Sequence, residues 1–131
     1  MDKNFYITTP IYYPSARPHM GHAYSSIIAD FFSRFKTIDG YKVCFLTGTD
    51  EHGLKIQRSA EKEGLDPLKF CDQISKTFRD LSKTLNLTNT DFIRTTEDRH
   101  KKTVQHLWKE LEKNDDIYLS NYSGWYSVSD E

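Results

Sequence analysis

Cysteine is scarce in this chain: two among 131 residues, Cys44 and Cys71, in different expected elements and at no metal-binding spacing. A disulfide framework is excluded on that ground. With no secretion signal at the start, two such thiols read as the reduced cysteines of a cytoplasmic protein. Long apolar runs are lacking too. None approaches the roughly 20 residues that a membrane-crossing helix requires, so no membrane partner is expected. Nor does charge of one sign dominate: 18 Lys and Arg against 19 Asp and Glu leave a net charge of −1. No overall field therefore draws the chain toward nucleic acid or lipid. Internal repeats, low-complexity segments and flexible linkers are missing as well. A chain of this length is enough for one domain with an ordinary core.

Proline is also sparse, but its placement is informative. Three of the four prolines, Pro10, Pro14 and Pro18, fall within the first 18 residues. They interrupt the stretch Asn4-Phe-Tyr-Ile-Thr-Thr-Pro-Ile-Tyr-Tyr-Pro-Ser-Ala-Arg-Pro-His19-Met-Gly-His22. Residues 5–9 are aromatic and β-branched, which predicts a strand. Regular structure is then blocked until Pro18, which suits the first turn of a helix. From Met20 onward Tyr24, Ile27, Ile28, Phe31, Phe35 and Ile38 recur at helical spacing, predicting a core-facing helix. His19 and His22 then stand three apart on one face of its opening turn. A helix N-terminus offers unpaired N–H groups and positive potential, and two imidazoles add further donors for a phosphate. That is an arrangement for holding a nucleotide.

After an Asp39-Gly40 turn, residues 41–47 predict a second strand, with the run from Val43 to Leu46 suited to burial on both faces. Gly48-Thr-Asp-Glu-His-Gly53 follows as a polar loop, and residues 54–63 as a short helix closed by Gly64. Asp66-Pro67 is a cap and first-turn proline for a helix patterned by Leu68, Phe70, Ile74, Phe78, Leu81 and Leu85. A short strand is expected over 91–95, and Thr95 with Asp98 resembles a capping box for a last helix. Val104, Leu107, Trp108 and Leu111 line one side of that helix. Residues 117–119 and 125–128 read as two short strands around a turn. Strand, helix, strand, helix implies α/β class and a parallel sheet, with ligands outside the carboxyl ends of its strands. The loops 10–22 and 48–53 both follow strands and so belong at that edge.

Each chemical feature has a plainer alternative. A His-x-x-His pair is by itself weak, and a zinc reading needs a third ligand, for which His52 is the only nearby candidate. Gly21 between the histidines favours a ligand, because glycine early in a helix costs stability unless something approaches the backbone. Asp50-Glu51-His52 reads either as a solvated turn or as a site in which Asp50 holds a substrate ammonium. Tyr12 and Tyr13 either cover the sheet edge or wall a small apolar pocket. Lys101 and Lys102 read as a solvated face.

Together these pieces resemble the methionyl-tRNA synthetases, within the class I aminoacyl-tRNA synthetases. His19-Met-Gly-His22 resembles the HIGH signature of that class, with Met in place of Ile. Thr8-Thr-Pro-Ile-Tyr-Tyr-Pro14, Phe45-Leu-Thr-Gly-Thr-Asp-Glu-His-Gly53 and Asp91-Phe-Ile-Arg-Thr-Thr-Glu-Asp-Arg-His100 are similar to stretches of the methionine branch. The resemblance implies a Rossmann-like first half of the catalytic domain over residues 1–115, with a connective insertion starting at 116–131. It implies that His19, Gly21 and His22 bind ATP and that His19 and His22 act in catalysis. Pro10, Ile11, Tyr13 and Asp50 would hold methionine, with Tyr12 and His52 as supports.

The implied reaction is attack of the methionine carboxylate on the ATP α-phosphorus, followed by transfer of methionine to tRNA(Met). Mg²⁺ would accompany ATP. Ser127-Val-Ser-Asp130 stands where zinc-bearing members carry Cys-x-x-Cys, so no zinc is expected. The family's lysine-rich KMSKS loop does not occur in these 131 residues. The chain is therefore expected to be part of a longer enzyme and inactive alone. Two rival readings remain at this level: a small nucleotidyltransferase with the same His-x-Gly-His helix, or a non-catalytic fragment that binds a nucleotide or partner.

Overall fold

The computed structural model describes residues 3–127, in the order β1 (Asn4–Thr8), α1 (Met20–Ile38), β2 (Lys42–Thr49), α2 (Leu54–Lys62), α3 (Pro67–Thr84), β3 (Asp91–Arg94) and α4 (Asp98–Lys113). Contacts divide the chain into two compact units, one up to Lys101 and one from Lys102 onward. In the first, β1, β2 and β3 form a parallel sheet in that spatial order, with Ile7 opposite Phe45 and Thr47 opposite Phe92. The α/β expectation and the parallel pairing of the first two strands hold.

The helices begin where backbone chemistry allows. Asp66 caps α3 by accepting from the Leu68 and Lys69 amides, with Pro67 at the first position. Gly53 opens α2 at φ +104°, a conformation in which a side chain would be strained. Gly48 is required by close approach: a Cβ there would lie 2.0 Å from the Ile93 carbonyl oxygen on β3. The core lies in two clusters, Ile56, Ala60, Phe70 and Cys71 between α2 and α3, and Tyr12, Phe78 and Phe92 nearer the sheet's carboxyl edge.

Several expectations are corrected. Helix α1 begins at Met20 with His19 as its N-cap, so Pro18 precedes the helix instead of opening it. Its apolar stripe does not face the core. Tyr24, Phe31 and Phe35 are 69, 64 and 53% exposed, whereas Ser26, Ala29, Asp30 and Ser33 are buried. These four are also one helical face, and their small size suits close packing. Asp30 is satisfied there by the Thr88 amide and hydroxyl and by Arg34. Periodicity finds stripes; it does not say which stripe meets the sheet.

In β2, Phe45, Thr47 and Thr49 are buried, but Cys44 is exposed, so the strand is not covered on both faces along its length. Leu68 of α3 is likewise half exposed. Thr95 does not cap α4, because its hydroxyl is taken by the Glu51 amide; the Glu97 carbonyl accepts from Lys101 at the helix start instead. In the second unit, α4 continues with Val104, Leu107 and Trp108 about half exposed. Residues 117–127 are neither helix nor strand, and Leu119 and Trp125 are fully exposed. Two short strands without further partners are marginal in water, which accounts for the hairpin's absence. Val128 and Asp130 lie outside the described residues.

Candidate functional site

The backbone after β1 keeps company with β2 although Pro10 has no N–H to donate. The Thr9 amide donates to Leu46 O (3.3 Å), the Tyr12 amide to Gly48 O (3.1 Å), and the Asp50 amide to Tyr12 O (2.9 Å). Tyr12 and Thr49 thereby form an isolated parallel bridge. This brings the two polar loops side by side at the carboxyl edge of the sheet, as expected.

The two histidines are organised by capping. The Gly21 amide donates to His19 Nδ1 (3.1 Å), and the His19 amide donates to His22 Nδ1 (3.0 Å). A neutral imidazole that accepts at Nδ1 carries its proton on Nε2. Both rings are thus set as Nε2–H donors beside the positive end of a 19-residue helix. Their centroids are 3.9 Å apart. Burial lowers the His22 pKa from its usual 6.5, and the neighbouring His19 lowers it further, so His22 is held neutral. Gly21 has a role in this: a Cβ on it would lie 2.9 Å from the His19 Cε1 atom and would push that ring off its cap.

Pro10, Ile11, Tyr12, Tyr13, His19, Gly21 and His22 line one cleft of about 460 Å³, together with Ser15, Ala16, Arg17 and Ser25. Ile11 and Tyr13 are 44 and 50% exposed and so are open to a ligand. Asp50 is not in the lining of that cleft. Its amide is bonded to Tyr12 O, as described above, and its Oδ1 accepts from the Thr95 hydroxyl (3.4 Å). His52 is farther removed. Its Nε2 donates to Thr95 O (3.3 Å), and it lines a separate cleft of about 410 Å³ with Gly53, Ile56 and Gln57.

Sequence reasoning missed the network beneath this edge. Glu51 has a fully buried side chain; its carboxylate accepts from Arg94 (2.7 Å), Thr49 (2.8 Å) and Thr96, while Arg94 also pairs with Asp72 (2.6 Å). Burial pushes the Glu51 carboxyl up, yet the bonds from Arg94, Thr96 and Thr49, with the Arg94 charge, outweigh it and hold its pKa below 4.5. Arg94, an arginine inside a short strand next to the sheet's edge, was the available signal. Among the described residues no group of three His, Cys, Asp or Glu side chains is disposed to hold a metal ion. None of their helices is long and apolar enough to cross a membrane.

Comparison with known proteins gives concordant similarities. The family profile described as tRNA synthetases class I (M) matches residues 5–131. The chain is 54% identical over 130 residues to the mitochondrial methionine–tRNA ligase of Takifugu rubripes, covering 99% of this chain and 22% of that one. It is 53% identical over 131 residues to the methionine–tRNA ligase of Listeria monocytogenes, covering 99% and 20%. Its fold is similar to that of Mycobacterium tuberculosis methionyl-tRNA synthetase bound by methionyl-adenylate, at a TM-score of 0.93 and 47% identity, covering 98% and 25%. The chain thus spans about a fifth to a quarter of the length of these relatives.

Proposed function

The chain belongs to the family of class I tRNA synthetases (M), and from that premise we propose that it supplies the first half of the active site of a methionine–tRNA ligase. The observation that carries the reading is the His19–His22 cap. It presents two Nε2–H donors at a helix N-terminus, on the edge where a parallel α/β sheet receives ligands. His19, Gly21 and His22 bind ATP, and His19 and His22 act on its phosphates. Pro10, Ile11, Tyr13 and Asp50 hold methionine, while Tyr12 and His52 support the site without contacting methionine.

A methionine carboxylate oxygen attacks the α-phosphorus; the new P–O bond gives methionyl-adenylate as the bond to pyrophosphate breaks. The residues bind and orient the reactants, and neutral Nε2–H groups donate to phosphate oxygens as their charge grows. Mg²⁺ arrives with ATP as part of the substrate. Methionine then passes to tRNA(Met). Zinc is not needed on this reading, because Ser127 stands where a thiolate would, as does Asp130 beyond the described residues. We place the division between catalytic half and insertion at 115/116, and the location in the cytoplasm, without membrane attachment. A second half-site, supplied by a longer chain, is required for turnover.

The test is methionine-dependent ATP–pyrophosphate exchange by the full-length enzyme carrying this sequence. His22→Ala should slow adenylate formation by roughly 10²–10³, the cost of removing one donor to transition-state charge, with little change in methionine affinity. An unchanged rate constant would reject the role.

A further inference from the structure

Tyr12 bonds both to the start of the histidine-bearing helix and to the end of β2 with the loop that follows it. Its ring is only 6% exposed, stacked on Phe78 (5.5 Å between centroids) and edge-on to the His22 imidazole (4.9 Å, 82°). Its hydroxyl lies 2.8 Å from Ser26 Oγ, 3.1 Å from Ser25 Oγ and 3.3 Å from the His22 carbonyl oxygen. All three atoms belong to the first two turns of α1. Its backbone, meanwhile, binds Gly48 O and the Asp50 amide on either side of Thr49. A residue that merely filled space here would be served by phenylalanine. The hydroxyl instead gathers three oxygen partners on the helix, while the main chain grips the strand end.

We propose that Tyr12 is a positioning residue that sets the register of the histidine-bearing helix against the loop carrying Asp50. This rests on the reading of His22 as an ATP contact and Asp50 as a methionine contact. The two attachments are chemically separable. Loss of the hydroxyl frees the helix start and leaves the backbone bonds to Gly48 and Asp50 in place. Ground-state methionine binding is then unaffected, whereas alignment of the ATP phosphates with the methionine carboxylate suffers. Misplacement by about 1 Å can cost a hundredfold in rate.

The experiment compares Tyr12→Phe, Ser26→Ala and the double variant in the full-length enzyme, with His22→Ala in parallel. Tyr12→Phe should lower the rate constant of pyrophosphate exchange roughly tenfold, within the range that misalignment produces. The methionine dissociation constant should stay unchanged, and deuterium uptake over residues 20–28 should quicken. Ser26→Ala should slow exchange less, because Ser25 keeps its bond to the hydroxyl. The double variant should be no slower than Tyr12→Phe, since both remove one interaction. Multiplying defects, or methionine affinity falling in step with the rate, would assign Tyr12 to general packing and overturn the proposal. An unaltered rate and uptake in Tyr12→Phe, beside a slowed His22→Ala, would overturn the positioning role alone. An unaltered rate in His22→Ala together with quickened uptake in Tyr12→Phe would sustain the register and count against the proposed function.

Discussion

At the scale of single residues, the site depends on which nitrogen of each imidazole is occupied. Backbone amides occupy Nδ1 of both His19 and His22, so the outward nitrogen is a donor while the ring is neutral. His22 is kept neutral first by burial and then by repulsion from His19. Its folded pKa lies below the unfolded 6.5, so the associated stability is complete above that value and is lost as pH falls below it. Imidazole titration followed by NMR should place the His22 midpoint below 6.5. His19→Ala should raise it only part of the way back, because burial, the larger cause, persists. A complete return to 6.5 would show that the neighbour, not burial, sets the shift.

At the scale of elements, α1 illustrates how an amphipathic pattern can be right about the helix and silent about its orientation. The large apolar side chains are outward, and the helix meets the rest of its unit through Ser26, Ala29, Asp30 and Ser33. Tyr12 and Thr88 are the polar partners that make this face stick. Phe35→Ala should therefore cost no more than about 0.5 kcal/mol in urea unfolding of the 131-residue chain, as for an exposed position. Phe78→Ala, which opens a cavity beside Tyr12, should cost about 3–5 kcal/mol. Comparable losses from the two substitutions would show that the outer face of α1 is covered after all.

At the scale of the whole first unit, the Glu51–Arg94–Asp72 chain joins the loop after β2 to β3 and α3. Such a buried pair is costly to break from one side, because the remaining charge stays in place; Glu51→Gln should cost about 3 kcal/mol at neutral pH. The depressed Glu51 pKa gives a sign as well. Its contribution is complete above the ordinary 4.5 and disappears as pH falls through the lower folded value. Denaturation midpoints measured from pH 7 down to pH 3 should fall along that acid limb, and Glu51→Gln should flatten it. An equally steep limb in the variant would move the acid sensitivity to Asp30, whose carboxyl is also held low. There burial raises the pKa, but bonds from Arg34 and Thr88 outweigh it.

The sequence by itself determined the existence and type of the elements from β1 to α4, and the motif. Proline spacing, aromatic and β-branched runs and the Asp66-Pro67 start are local signals, carried by backbone sterics and hydrogen-bonding chemistry that need no distant partner. The family likeness was legible in His19-Met-Gly-His22 and in Gly48 to Gly53 for a related reason: each of these motifs is a short uninterrupted stretch of chain. Tertiary structure alone decided which face of α1 is covered, since a 3.6-residue period describes two faces and names neither as the inner one. It decided that Thr95 serves Glu51 instead of capping α4, because a hydroxyl chooses among partners that only folding brings near. It also decided that the segment 117–127 forms no hairpin: a strand is a relation between two segments, and a pattern in one cannot supply the ladder of the other.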